Sequence, residues 1–333
     1  MAENNQQPLL FLSSSPHIVS PVTTQQLMVH VLIALAPVLI FGIVIFGVPA
    51  LLTILVSVVT AVVAEALFRC ITKQDIRIKD GSAAVTGLLL ALVIPPSTPL
   101  WMTILGAIFA IVIAKEFFGG LGANVFNPAL IGRAFLIMSF PAAITTWTRP
   151  DGVTGPTPLG IVKLGGTILD VGADFGIDPV TYGGVLKTLF LGNYAGCIGE
   201  TSILLILVGA VYLLVVKAMD WRAPVAMVGA TVILSALLGM DPLFALLSGG
   251  VCFGAVFMVT DYVSAPVTAN GKFIFGCGAG IITVLIRKWG NYPEGVTYGI
   301  LMMNALTPFL NRLLQKKYGY VPPKKPEAKG AAK

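Results

Sequence analysis

The stretch "GSAAVTGLLLALVIPPSTPL", Gly81 to Leu100, is apolar enough for the inside of a membrane and too short to cross one. Its run from Ala83 to Ile94 is closed by Pro95 and Pro96, and proline neither donates a backbone hydrogen bond nor continues a helix. A spanning helix needs about 20 apolar residues, so this segment reads as a broken helix. A second stretch, "LSGGVCFGAVFMVTDYVSAPV" from Leu247 to Val267, has the same character. Ser82 matches Ser248, Gly87 falls close to Gly254, and Pro99 close to Pro266. Farther along, "VFNPALIGRAF" (125–135) has a faint echo in "LMMNALTPFLNR" (301–312). Broken helices in corresponding places of two inverted halves point to a binding site between the halves. Small residues that only allow close helix packing would leave the same trace.

The rest of the chain agrees with a membrane setting. Of its 333 residues 56% are apolar and 11% charged, and mean hydropathy is +0.90, whereas soluble domains carry about a quarter charged residues. Apolar runs begin near residues 26, 48, 81, 100, 123, 201, 223, 242, 271 and 295, which predicts an all-α protein of about ten transmembrane helices in two inverted five-helix repeats. The corresponding division is an amino-terminal arm (1–25), a first membrane repeat (26–144), a connection (145–200), a second repeat (201–315) and a basic tail (316–333). The first 25 residues hold no Lys or Arg and no cleavage site, so a secretory signal peptide is not expected.

Cytoplasmic loops are enriched in Lys and Arg. Arg69, Lys73, Arg77 and Lys79 after the second run, Lys217 and Arg222 after the sixth, and the tail all fall on one side if both termini are cytoplasmic. The connection then lies outside, and Arg287 with Lys288 dissents. The net charge of +6 is accounted for by this asymmetry and by the lipid surface, not by nucleic acid. Cys70, Cys197, Cys252 and Cys277 form no C-x-x-C pair, so the chain predicts no metal centre of its own and small buried helix residues instead. His17 and His30 read as structural.

Within the connection stands "RPDGVTGPTPLG", Arg149 to Gly160. Asp-Gly and Gly-Pro form turns, and the prolines hold the neighbouring backbone extended, so Thr154 and Thr157 are expected to present exposed hydroxyls. Asp151, Gly152, Thr154, Gly155 and Thr157 resemble the flavinylation motif, Asp-Gly-x-Ser/Thr-Gly-Ala-Thr, of the family formed by RnfD of the Rnf complex and NqrB of the sodium-translocating NADH:quinone reductase. Pro156 stands where that motif usually has Ala. The resemblance extends over "EFFGGLGANVFNPALIGRAF" and "YPEGVTYGILMMNALTP", and the chain's length resembles the Rnf protein more than its longer counterpart.

That resemblance implies FMN joined by a phosphoester to Thr157 by a flavin transferase, with a second, noncovalent flavin, riboflavin, in the membrane part. It implies an electron-relay subunit in a bacterial or archaeal cytoplasmic membrane, working with the other membrane and peripheral Rnf subunits. Electrons pass between ferredoxin and NAD, coupled to movement of sodium ions or protons. No complete active site is expected on this chain, and "GGLGAN" lacks the strand–turn–helix setting of a nucleotide site. Arg149 and Lys163 are candidates to balance the phosphodiester, or else solvated loop charges; Trp147 is a candidate stacking partner, or else a membrane-interface aromatic. Asn124, Asn127 and Asn304 offer amides to a flavin edge, or else cap and join helices. Asp261, then Glu116 and Glu65, are the ion-linked candidates, although pairing such as Lys115 with Glu116 would explain them structurally. Five-helix inverted repeats also resemble urea-transporter architecture, so a solute channel or secondary transporter is the alternative from another class, and the quinone-reductase protein the alternative within this one.

Overall fold

The computed structural model describes residues 22–75, 78–149, 151–292 and 294–314; His17 with most of the arm, Arg77, and the basic tail lie outside the described residues. Helix α1 (Thr24–Ile71) opens on a capping box in which Thr23 Oγ1 accepts from the Gln26 N–H and the Gln26 amide oxygen accepts from the Thr23 N–H. Its 48 residues would run roughly 72 Å if straight, about twice a bilayer core. The helix breaks instead at Gly47 (φ 65°, ψ −145°), with Pro49 just beyond, leaving two pieces of crossing length.

α2 (Ser82–Leu92) is followed by α3 (Leu100–Ile108), which runs on through a π turn at Phe109–Ile113 and a 3₁₀ turn at Glu116–Phe118. α4 (Pro128–Ser139) starts at Asn127 and gives way to the short α5 (Pro141–Ile144). After the connection come α9 (Ile203–Val215), α10 (Arg222–Leu237), α11 (Pro242–Leu247), α12 (Val251–Phe253) with a π turn at Gly254–Met258, α13 (Ala269–Trp289) and α14 (Val296–Leu314). Thr24–Ile71, Leu100–Phe118 and Ala269–Trp289 are long and apolar enough to cross a membrane, and four shorter helices are strongly apolar. Large apolar side chains such as Val44, Val215, Leu237 and Leu313 face outward. This is a helical, multi-pass membrane protein.

Every residue of α2 except Ala84 is buried, and the helix stops inside the protein. Its last carbonyls therefore need partners that water cannot supply. The end of the connection supplies them: the Gly199 N–H donates to Leu92 O at 2.7 Å, the Cys197 thiol to Val93 O at 3.0 Å and the Ile198 N–H to Ile94 O at 3.4 Å. The second broken stretch is interrupted between α11 and α12, where Gly249 takes φ +65°. Elsewhere small residues bring helices together. Gly276 and Gly280, one turn apart on α13, lie against the Ala223 and Met227 carbonyls of α10, where a methyl group would clash.

The connection is a folded unit. Strands β1 (Trp147–Thr148) and β2 (Thr154–Gly155) pair antiparallel, Trp147 opposite Gly155 and Thr148 opposite Thr154. Helices α6 (Pro158–Lys163), α7 (Ile168–Asp174) and α8 (Tyr182–Leu191) follow, and Val171, Val185, Leu189 and Tyr194 form a small core with Phe244 of α11. Residues 194–203 are buried throughout, so the connection ends inside the protein.

Candidate functional site

The Asp-Gly turn forms as its residues dictate. The Gly152 N–H donates to Arg149 O at 3.0 Å, Asp151 Oδ1 accepts from the Val153 N–H, and Gly152 takes φ +83°, which glycine tolerates. The expectation of two exposed hydroxyls holds for Thr154 and fails for Thr157, whose exposure is 5%. Thr157 is extended and caps α6: its Oγ1 accepts from the Gly160 N–H at 3.1 Å, with Pro158 at the first helical position.

Arg149 is half-buried and paired. Its guanidinium pairs with Asp174 of α7 and lies over Gly155, where a side-chain methyl would meet Nε at 2.9 Å. The Lys163 ammonium donates to three carbonyls, Arg287, Gly290 and Tyr292, which end α13 and follow it. Lys163 therefore fastens the connection to the second half. Trp147 is buried against Ala195 and Cys197.

Two buried charge clusters lie in the helical part. In the first, the Lys115 ammonium donates to Glu65 Oε2 and to Ser82 Oγ, both at 2.6 Å, while Arg69 Nε lies 3.1 Å from Glu116 Oε2. Lys115 pairs with Glu65 across helices, and the expected pairing with its neighbour Glu116 does not form. Glu65 and Glu116 are fully enclosed rather than snorkelling at a span end. Gly120 (φ +86°) passes so close to Arg69 that any β-carbon would lie 2.6 Å from Nη2. Of the glycines of "GGLGAN", Gly120 serves this packing, whereas a β-carbon at Gly122 would meet nothing within 4 Å.

In the second cluster Arg133 of α4 pairs with Glu294 and lies 3.5 Å from Glu200 Oε1, with Cys197 Sγ 3.6 Å from its Nη2. The ligand atoms of Cys197, Glu200 and Glu294 lie within 4.8 Å of one another. Arg287 joins them from α13, donating to Ala245 O and Ser248 O at the break between α11 and α12. Two guanidiniums face two carboxylates, so the cluster is charge-balanced as it stands. Cys197 and Cys252 are buried, but Cys197 sits on the connection and Cys70 is exposed, which corrects the expectation of four buried helix cysteines. His30 is structural, its Nδ1 2.9 Å from Tyr212 Oη.

A cavity of about 70 Å³ opens between residues of both halves, including Ser82, Lys115, Asn124, Asn127, Phe257 and Asp261. Asn124 spends its amide N–H on Phe126 O, and its buried Oδ1 has no partner among the described residues. Asn127 caps α4, accepting from the Ala129 and Leu130 N–H groups. Asn304 does not line this cavity; it is wholly buried on α14 with both amide atoms unpaired among the described residues. Asp261 accepts from Ser264 Oγ at 2.6 Å and closes a turn, while also lining the cavity.

Outside the membrane-crossing helices, Asp220 between α9 and α10 is held below the ordinary carboxylate range. Partial burial opposes its charge, but the Arg222 N–H and the Lys272 ammonium, 3.0 Å away, more than offset this.

The model of the NQR2, RnfD, RnfE family matches residues 11–319. The chain belongs to that family. It is 43% identical, over 96% of its own length and 99% of the relative's, to the D subunit of the proton-translocating ferredoxin:NAD(+) oxidoreductase complex of Clostridium ljungdahlii. It is 42% identical, over 96% and 98%, to the D subunit of the Na(+)-translocating ferredoxin:NAD(+) oxidoreductase complex of Acetobacterium woodii. To the D subunit of the ion-translocating oxidoreductase complex of Stutzerimonas stutzeri it is 37% identical over 89% and 92%.

The family resemblance was legible from the motif and its neighbours, whereas the Arg133, Glu200, Glu294 and Arg287 cluster was not read from the sequence. One signal was available: Arg133 is an ionisable residue inside the apolar run "PALIGRAFLIMS", where a charge demands a partner.

Proposed function

We propose that this chain is the membrane electron-relay subunit of an Rnf-type ferredoxin:NAD oxidoreductase, carrying FMN on Thr157 and helping couple electron transfer to ion translocation. The observation that carries the reading is near-full-length identity above 40% to the D subunits of two such complexes. Their names also favour a redox protein over a solute channel. Because one is named for protons and the other for sodium, the likeness is neutral between the two ions.

The motif residues fit the modification, with one adjustment. The hydroxyl that would join the phosphate, with net loss of water, is occupied as a cap, and freeing it costs about 1 kcal/mol. Arg149 over Gly155 puts a cation beside the motif. When bound, FMN supplies a ring that exchanges one or two electrons; the chain's part is to hold it. For a noncovalent riboflavin, the orphaned Asn124 Oδ1 in the cavity between halves is the group with an unmet need.

For inverted repeats, each broken stretch meets a buried cation at its corresponding serine, although the contacts differ: Lys115 donates to Ser82 Oγ and Arg287 to the backbone carbonyl of Ser248. Burial of Arg287 also removes one dissenting charge from the orientation argument, since the rule counts loop residues, which favours cytoplasmic termini and an extracytoplasmic connection. The outward apolar side chains suit lipid and neighbouring members of the complex.

The mass of the peptide from Arg149 to Lys163, taken from a host with the flavin transferase, tests the core of this. An addition of FMN less water on Thr157, lost in Thr157→Ala, is expected. Addition at Thr154, or none, would sink the covalent assignment.

A further inference from the structure

A polar cleft of about 570 Å³ opens where the loop from α9 to α10 faces residues 259–267 and the first turn of α13. Its charged lining is Lys217, Arg222 and Lys272 against Asp220 and Asp261. Asp220 Oδ2 lies 3.2 Å from Arg222 Nη1 and 3.0 Å from Lys272 Nζ, so two cations share one carboxylate. Asp261 is spent on its own turn, where it accepts from Ser264 Oγ. Lys217, which follows the end of α9 with φ 58°, is exposed, and its ammonium has no partner among the described residues. The cleft therefore carries positive charge in excess. Its walls are tied together before anything binds: Tyr262 Oη donates to Ala218 O at 2.5 Å, and the Val267 N–H donates to Asn311 Oδ1 at 2.9 Å.

We propose that this cleft binds the headgroup of an anionic phospholipid. Trp221 stands exposed at its rim, with the Arg222 guanidinium 5.8 Å from the ring centroid, and Val215, Val225 and Val267 face outward around it. Tryptophan settles at headgroup level in a bilayer, and the outward valines beside it would meet acyl chains. Basic pockets between helix ends on the cytoplasmic side suit phosphate-bearing headgroups, because the attraction to an anionic leaflet acts only close to its surface. Arg222, Lys217 and Lys272 come from three different segments, so the free oxygens of a phosphodiester can be met from more than one side, with charge-assisted hydrogen bonds. An acidic protein surface would match the charge but leave the apolar rim unexplained, and a concave cleft admits a headgroup more readily than a flat surface. The cytoplasmic placement rests on the orientation read above; the binding itself does not.

Native mass spectrometry of the full-length protein, released from detergent micelles and titrated with phosphatidylglycerol or phosphatidylcholine, tests this. Retention of phosphatidylglycerol in preference to phosphatidylcholine is expected. Lys217→Ser and Lys272→Gln are each expected to weaken it about fivefold, the factor that corresponds to about 1 kcal/mol per basic residue near a lipid surface. Lys187→Ser, which removes an exposed lysine from α8 on the connection, is expected to leave retention unchanged. Glycerophosphoglycerol, the same headgroup without acyl chains, is expected to compete poorly. Should Lys272→Gln not accumulate, Lys217→Ser carries the test, since that ammonium is exposed and unpaired among the described residues. Equal retention of the two lipids, or equal weakening by Lys187→Ser, overturns the site. Full competition by glycerophosphoglycerol would make it a site for free phosphate esters and overturn the lipid. Unchanged lipid retention in Lys217→Ser, with loss of a peripheral subunit from the assembled complex, would give the cleft to an acidic protein instead. Retention is read in detergent and needs neither the membrane orientation nor the flavin, so its failure is distinct from theirs.

Discussion

Replacing Lys115 by Met probes what the first charge cluster contributes. The ammonium is 1% exposed and holds the carboxylate of the wholly buried Glu65 at 2.6 Å. Breaking a buried ion pair by removing one partner costs about 3–5 kcal/mol, because the other charge stays buried. Here Arg69 remains 3.7 Å from Glu65, so the loss is expected at the low end, about 3 kcal/mol. Adding Glu65→Gln removes the stranded charge, and the double variant is expected to recover half or more of that loss, a coupling of about 1.5 kcal/mol or more. Thermal unfolding in detergent, followed by tryptophan fluorescence with parallel proteolysis, reads the ranking. If Lys115→Met melts within a degree of wild type, or the double variant loses the sum of the two single losses, the pair does not hold the helices together and the reasoning fails. A fully stable double variant whose complex no longer moves ions would assign the pair to translocation as well.

Three further outcomes follow from individual side chains. Asn124→Leu is expected to lower the acid-extractable, noncovalent flavin without lowering the melting temperature; unchanged flavin content removes this residue from the cavity's ligand set. Asn304→Leu is expected to be neutral or stabilising by about 1 kcal/mol, since both amide atoms are buried unpaired, and a large loss of stability would reveal a partner. Asp220→Asn is expected to cost about 1 kcal/mol or less at pH 7, because the pairs with Arg222 and Lys272 are part-exposed. A carboxylate whose folded pKa is depressed contributes stability that is present above its unfolded value, about 3.9, and lost as pH falls through the folded one. The difference in melting temperature between wild type and Asp220→Asn should therefore begin to shrink as pH falls below about 3.9 and vanish only once pH has passed below the depressed folded value. A difference that persists there would have another origin.

Features that local chemistry can enforce were legible along the chain. Composition put the protein in a membrane, Pro95-Pro96 closed the first broken helix, and Asp151-Gly152 made the turn. Each depends on residues a few positions apart, so no knowledge of packing is needed to see it. The motif with its flanking stretches was likewise enough to place the family. The remaining features waited on packing, because the partners are distant in sequence and the deciding quantity is burial. Thr157 is enclosed where its turn chemistry suggested exposure, and its hydroxyl caps α6. Lys115 bypasses adjacent Glu116 for Glu65, fifty residues away. Arg133 finds Glu294 at a separation of 161 residues. A charge inside apolar helices must be paired or it costs several kcal/mol, but the sequence states only that a partner is needed. Which partner, and whether it faces the motif or the cavity between halves, is settled only when the helices pack.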